Sequence, residues 1–196
     1  VFQLKQAVSE QVIEVREEYF VRRAIEKWSR IPNIKILGNL KTRRLSIVSF
    51  IIEYNERVLH HEFVVALLND LFGIQARGGC SCAGPYGHRL LDIDLATSKK
   101  FDDEILSGCE ILKPGWVRVN FNYFISDLVF EYILDAVAWL AENGGYFLSQ
   151  YRFEIATSAW VHCETAVTAL GSLEDLTYQN GKLGYHSIRK NLPEKE

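Results

Sequence analysis

Leu4, Val8, Val12, Val15 and Tyr19 follow one another at spacings of three and four, with Lys5, Glu10, Glu14, Arg16 and Glu17 between them. That period predicts one amphipathic helix over residues 2–29, ended by Ile31-Pro32-Asn33. Two short runs rich in β-branched and aromatic residues, Ile34 to Leu37 and Arg44 to Tyr54, predict strands, the second buried on both faces. Gly38-Asn39 marks the turn between them. Residues 60–72 carry their apolar side chains on one side and end at Gly73, able to take the left-handed conformation that closes helices; a short strand, Ile74 to Arg77, follows. A further helix spans 97–107, with Thr97 or Ser98 as N-cap and Gly108 as stop. Pro114-Gly115 introduces a strand from Trp116 to Phe121. From Ser126 to Asn143 a narrow acidic stripe of Asp127, Glu131, Asp135 and Glu142 runs along an otherwise apolar segment, which predicts a helix buried over most of its circumference. Asn143-Gly144-Gly145 ends it, and Tyr146 to Ile155 alternates as a last strand. Beyond about Trp160 no period is strong, and residues 190–196 read as a frayed end.

This order of elements predicts an α/β or α+β fold in which helices cover a small mixed sheet. No Gly-x-Gly-x-x-Gly opens a helix after a strand, and phosphate-loop signatures are absent, so a dinucleotide fold is not expected. A chain of 196 residues supports one domain with a real core, placed at 1–160, with 161–196 as a C-terminal extension and tail. The 22 basic and 25 acidic residues leave a net charge of −3 without a long block of one sign, which points away from nucleic acid as a partner. The longest apolar run, Leu45 to Ile52, falls short of the roughly 20 residues that cross a bilayer, and the first residues lack a secretory pattern. No membrane and a cytoplasmic location are the expectations. Cys80, Cys82, Cys109 and Cys163 are too few for a disulfide framework and read as reduced thiols. The sequence contains no methionine, which suggests a fragment of a longer reading frame.

Chemistry concentrates in residues 78–88, Gly-Gly-Cys-Ser-Cys-Ala-Gly-Pro-Tyr-Gly-His, where four glycines and a proline predict a loop that is neither helix nor strand. Glycines let backbone approach a ligand, a thiol offers a nucleophile, and Arg77 offers a planar fork for a carboxylate. A metal or redox module is a competing reading: Cys80, Cys82 and His88 supply soft ligands, and Cys109 or Cys163 would complete a tetrahedron. Zinc sites usually space paired cysteines more widely, which counts against it. The pair His60-His61, followed by Glu62, reads simply as a helix start, because adjacent helical residues do not face one site.

The stretch Arg77-Gly78-Gly79-Cys80-Ser81-Cys82-Ala83-Gly84-Pro85 resembles a segment of class V aminotransferase-like pyridoxal-phosphate enzymes of the cysteine desulfurase and selenocysteine lyase kind. There an arginine, a short Gly/His-rich link, a cysteine, an alanine and a proline occur in that order, with the same arginine-to-cysteine spacing. Pro114-Gly115-Trp116-Val117-Arg118-Val119-Asn120 is similar to the late strand of the same family, whose arginine anchors the substrate carboxylate, and helix 126–143 matches its last long helix. Positions 80 and 81 are Cys-Ser where the family typically has two histidines, and Asn120 stands where serine or glycine is usual. The resemblance implies the small C-terminal domain of such an enzyme. It makes Cys82 the sulfur-accepting nucleophile, Arg118 the carboxylate anchor and Arg77 a second basic contact for a small amino-acid substrate, with Cys80 and His88 as auxiliary groups. Family members bind pyridoxal phosphate through a lysine that follows a histidine, and none of the lysines here does. The cofactor therefore belongs to a large domain outside this chain, in an enzyme expected to be a homodimer, and the chain alone is expected to bind no cofactor and to be inactive. Other class V reactions, an aminotransferase or a C–S lyase with a non-catalytic cysteine loop, remain open alternatives.

Overall fold

The computed structural model describes residues 2–79, 84–155, 157–164, 176–178 and 181–185. The chain divides into two units, Val1–Cys163 and Glu164–Glu196. In the second, β7 (Leu176–Thr177) pairs antiparallel with β8 (Gly184–Tyr185).

The first unit begins with two helices where the sequence pattern predicts one. α1 (Phe2–Val8) and α2 (Glu10–Trp28) meet at Ser9, which takes a positive φ of 76° and caps α2 by accepting from Val12 N. Nothing in the apolar period betrays the break, since a serine fits either a helix or its cap. Inward positions on α2 are Phe20, Val21, Ala24 and Trp28. The predicted stripe is left outside instead, with Leu4, Val12, Val15 and Tyr19 all exposed.

β1 (Ile34–Ile36) and β2 (Ile47–Tyr54) form an antiparallel pair. β3 (Arg57–Val58) folds back on β2 through Asn55 and Glu56, whose positive φ values of 50° and 62° suit a two-residue hairpin turn. β4 (Val117–Asn120) pairs with β2 from Ile47↔Asn120 to Phe50↔Val117, antiparallel like every described ladder. Residues 44–46, expected in the second strand, precede it; the predicted strand Ile74–Arg77 reduces to a single bridge between Arg77 and Arg118.

One face of this sheet is the core. Val48, Phe50 and Ile52 of β2 and Val117 and Val119 of β4 pack against Phe20, Ala24 and Trp28 of α2, against α3 (His61–Phe72) through Phe63, Val64, Leu67 and Leu68, and against α6 (Asp127–Asn143) through Phe130, Leu134, Val137 and Leu140. α3 closes as expected at Gly73, with φ 65°. The fold is thus α/β, a small sheet under a layer of helices. On the opposite face Leu37, Ile51 and Trp116 form a smaller cluster with the partly buried Leu90 and Leu91. Leu90 ends α4 (Gly84–Leu90), a helix inside the segment expected to be a loop; Pro85 falls in its first turn, where a missing N–H costs nothing. α5 (Leu95–Leu106) is capped by Asp94, which accepts from Thr97 N, so the cap lies upstream of the expected Thr97 or Ser98.

The acidic stripe of α6 has partners on α2. Arg16 pairs with Asp127 at 3.0 Å and donates to the carbonyls of Tyr123 and Ile125; Arg23 meets Glu131, and Lys27 meets Glu131 and Asp135. Trp28 Nε1 donates to Leu134 O at 3.2 Å beneath this row. α6 is less buried than expected, because Leu128, Val129, Tyr132 and Trp139 remain exposed. After it comes a 3₁₀ helix, Gly144–Gln150, where a strand was expected; the strand is only β5 (Tyr151–Glu154), paired with β6 (Ala159–His162), which the sequence pattern does not announce.

Trp28→Ala should lower unfolding free energy by about 3–5 kcal/mol, the range for losing a fully buried large aromatic side chain. Lys27→Ala, at the half-exposed ion pairs, should cost about 1 kcal/mol or less. Urea denaturation of both variants checks the contrast.

Candidate functional site

Arg77 and Arg118 meet because β4 pairs with β2 along one edge and offers its other edge to the Arg77 segment. Arg77 N donates to Arg118 O at 3.1 Å and Arg118 N donates to Arg77 O at 2.8 Å, and the pairing continues where Trp116 N donates to Gly79 O at 3.2 Å. Two residues that exchange both bonds lie directly opposite one another, so their side chains leave the same face of the ladder. Ser49 pairs with Arg118 from the other edge and extends the row. This is the face of Trp116 and Ile51, away from the main core, and α4 lies over it with Gly87 against the Trp116 ring.

Two arginines at opposite positions put like charges on one face of the ladder, which favours an anion beside them. Arg118 is half-buried, and its Nε is a buried donor with no hydrogen-bond partner among the described residues. Trp116 Nε1, two residues earlier on the same strand and therefore on the same face, is likewise buried and unpartnered. An unsatisfied buried donor costs roughly 1–3 kcal/mol, which a bound acceptor would offset. The row thus suits a carboxylate. It does not suit pyridoxal phosphate as a resident group, which needs a lysine amine, because the row itself presents guanidinium and indole groups.

Cys80 and Cys82 lie outside the described residues, in a segment flanked by Gly79 on the ladder and by Gly84 at the start of α4. His88 is half-buried in α4 and has no hydrogen bond to either arginine among the described residues. Cys109 and Cys163 are exposed free thiols. Among the described residues no group of three His, Cys, Asp or Glu side chains is arranged to hold a metal. No described helix is long and apolar enough to cross a membrane.

The residues that sequence reasoning missed are His60, His61 and Glu62. His60 is the N-cap of α3, with φ −56° and ψ 131°, and this turn out of helical geometry lets the two adjacent imidazoles stack at 4.4 Å. A Cβ on Gly115 would come within 2.7 Å of His61 Cε1, and one on Gly78 within 2.6 Å of Glu62 Oε1 and 3.0 Å of His61 Cδ2. The two glycines beside the arginine ladder are therefore the space that admits this cluster. Burial and the neighbouring His60 depress the His61 pKa to about 4; burial also lowers His60, while burial raises Glu62. The only sequence signal was the coincidence of Gly78 and Gly115 with two histidines, and spacing alone does not join them.

Gly115→Ala should destabilise the chain by about 1–3 kcal/mol through overpacking, and His61→Ala should relieve part of that loss in the double variant. A double-mutant cycle by denaturation measures the coupling. Stability should also fall as pH drops from about 6.5 to about 4, because the unfolded chain protonates His61 at its ordinary value while the folded chain resists until about 4. Glu62 acts in the opposite sense, since its folded carboxyl takes a proton above its ordinary value of 4.5. His60, lowered as well, acts in the same sense as His61, whose own contribution is on the order of 3 kcal/mol, and His61→Gln should flatten the pH profile.

No protein-family profile matches the chain, and no curated protein matches it by sequence. Solved structures do. The apo structure of a cysteine desulfurase from Thermococcus onnurineus NA1 is similar over 72% of this chain, at 22% identity and a TM-score of 0.48. The crystal structure of the cysteine desulfurase CsdA (S-sulfonic acid) from Escherichia coli is similar over 66%, at 17% identity and a TM-score of 0.40. The chain spans 29% of the length of the first and 25% of the second.

Proposed function

We propose that this chain is the carboxylate-binding, thiol-bearing part of a pyridoxal-phosphate enzyme of the cysteine desulfurase kind, working with a large cofactor-binding domain that it does not contain. The observation that carries the reading is the Arg77–Arg118 ladder, with the buried Nε of Arg118 lacking an acceptor among the described residues. Support also comes from the order of motifs: Cys80 and Cys82 follow in sequence directly after Gly79, whose carbonyl accepts from Trp116 N on the strand of Arg118.

In this reading Arg118 receives the α-carboxylate of a small amino acid through its guanidinium fork, and Arg77 adds a second positive charge from the opposite residue. Trp116 closes the face beneath them, excluding water and strengthening the charge contact. Cys82 is the sulfur acceptor, carried on the segment tethered at Gly79 and Gly84. Pyridoxal phosphate, held by the large domain, supplies the electron sink for breaking the bond to sulfur. The chain by itself holds neither that group nor its lysine and is inactive alone.

The test is reconstitution with the large domain and measurement of alanine release from cysteine. Arg118→Ala should raise KM roughly 10- to 100-fold, the loss of about 1.5–3 kcal/mol for a hydrogen bond to a charged group. Cys82→Ser should abolish both alanine release and the mass gain of one sulfur on the chain. If Cys82→Ser retains both while Cys80→Ser loses them, the nucleophile is Cys80; if the unsubstituted protein releases no alanine, the desulfurase reading fails. The isolated chain should show no absorption band near about 410 nm that borohydride fixes to one of its lysines.

A further inference from the structure

Three segments converge on His60. Its Nδ1 accepts from Glu62 N at 3.2 Å and from Trp160 Nε1 at 3.1 Å. Both partners are obligate donors, so the ring proton resides on Nε2, which faces Ile111 O at 3.0 Å and donates to it. Ile111 lies in the short 3₁₀ turn Glu110–Leu112, upstream of Pro114, Gly115 and β4. The His61 ring, stacked on His60, fills the space left by Gly115 and Gly78. One imidazole pair therefore touches the segment entering β4 at two points and the Arg77–Gly79 segment at one. Trp160, on β6, reaches the same pair from the β5–β6 hairpin and packs on Phe63 and Phe153.

We propose that His60 is a positioning residue for the Arg77–Arg118 pair: its bond to Ile111, with His61 wedged beneath Gly115, sets how the chain enters β4, and Trp160 holds the imidazole in the tautomer that donates. The bridge rests on its two backbone bonds and the neighbouring bond from Trp116 N to Gly79 O, a short ladder, so the entry of each strand decides how the arginines face one another. Gly78 and Gly115, flanking the bridge, contribute no side chains of their own to hold it. The imidazole pair supplies that support from the side. The hairpin thereby gains a role, because a side chain far along the sequence selects the tautomer at the base of the ladder. For its functional meaning the inference rests on the carboxylate reading of the arginines, but its test needs no ligand.

The experiment is amide hydrogen exchange by NMR on the full chain, comparing His60→Asn with His60→Gln. An asparagine oxygen replaces Nδ1 as acceptor for Glu62 and Trp160 but does not reach Ile111; a glutamine amide reaches Ile111 and donates to it. His60→Asn should speed exchange of the Arg77, Arg118 and Trp116 amides tenfold or more while the Leu37 amide, bonded to Ser49 O on the far edge of β2, stays unchanged. His60→Gln should restore the slow exchange. Unchanged exchange in His60→Asn, acceleration of Leu37 together with Arg118, or no rescue by glutamine would each overturn the proposal. Imidazole nitrogen shifts of the unsubstituted chain give a reading that no folding defect can obscure: His60 should carry its proton on Nε2, and Trp160→Phe should reduce that preference. A proton on Nδ1 sinks the idea. If exchange behaves as expected but alanine or acetate leaves the Arg118 Nε–H resonance unmoved, the carboxylate reading fails and the positioning role stands.

Discussion

All strands of the main sheet are hydrogen-bonded to β2. β1 takes one edge, β4 and the β3 turn take the other, and Phe50 is paired on both sides, with Ile36 and with Val117. A strand with neighbours on both edges has its register fixed by its own side chains, because a slip of one residue would send Val48, Phe50 and Ile52 to the wrong face. The inward set meets three helices at once, and the ion pairs between α2 and α6 align two of those helices over it. Fixing β2 fixes β4, and fixing β4 places Arg118 on the face opposite the core. The candidate site is the outer surface of the strand whose inner surface is the core.

The parts of this arrangement that depend on local period were legible in the sequence. α6 falls within the predicted span Ser126 to Asn143, Gly73 closes α3 in the left-handed region, and the strand that carries Arg118 falls where Pro114-Gly115 announces it. What was not legible depends on distant neighbours. The apolar period from Leu4 to Tyr19 looked like a core-facing stripe, yet the core took Phe20, Ala24 and Trp28, on a different side of the same helix. Gly144 and Gly145 read as a stop before a strand; in the fold they let backbone pass against the Leu140 side chain and the Tyr54 ring, and the segment continues as a 3₁₀ helix.

The site divides in the same way. Arg77 and Arg118 were singled out separately, by the composition of their surroundings and by resemblance, and the ladder between them is a tertiary fact. The rule that adjacent helical residues face different ways dismissed His60 and His61. It holds inside a helix, where each residue turns by a fixed angle, and it lapses at an N-cap, whose extended backbone frees its side chain from that rotation. Glu62, half-buried against Gly78, was invisible for a different reason. Its environment is made by a glycine whose only signature is the absence of a side chain.

The Arg77–Arg118 bridge joins segments separated by α4, α5 and the turn that follows them. Closing so long a loop is entropically costly and is repaid only when β4 has found β2, so contacts of this kind form late and slow the search. Helices α2, α3 and α6 are local by comparison. Each helix forms from contacts within its own turns, so a chain whose distant pairings have not yet closed carries α2, α3 and α6 as separate helices while its two arginines remain apart.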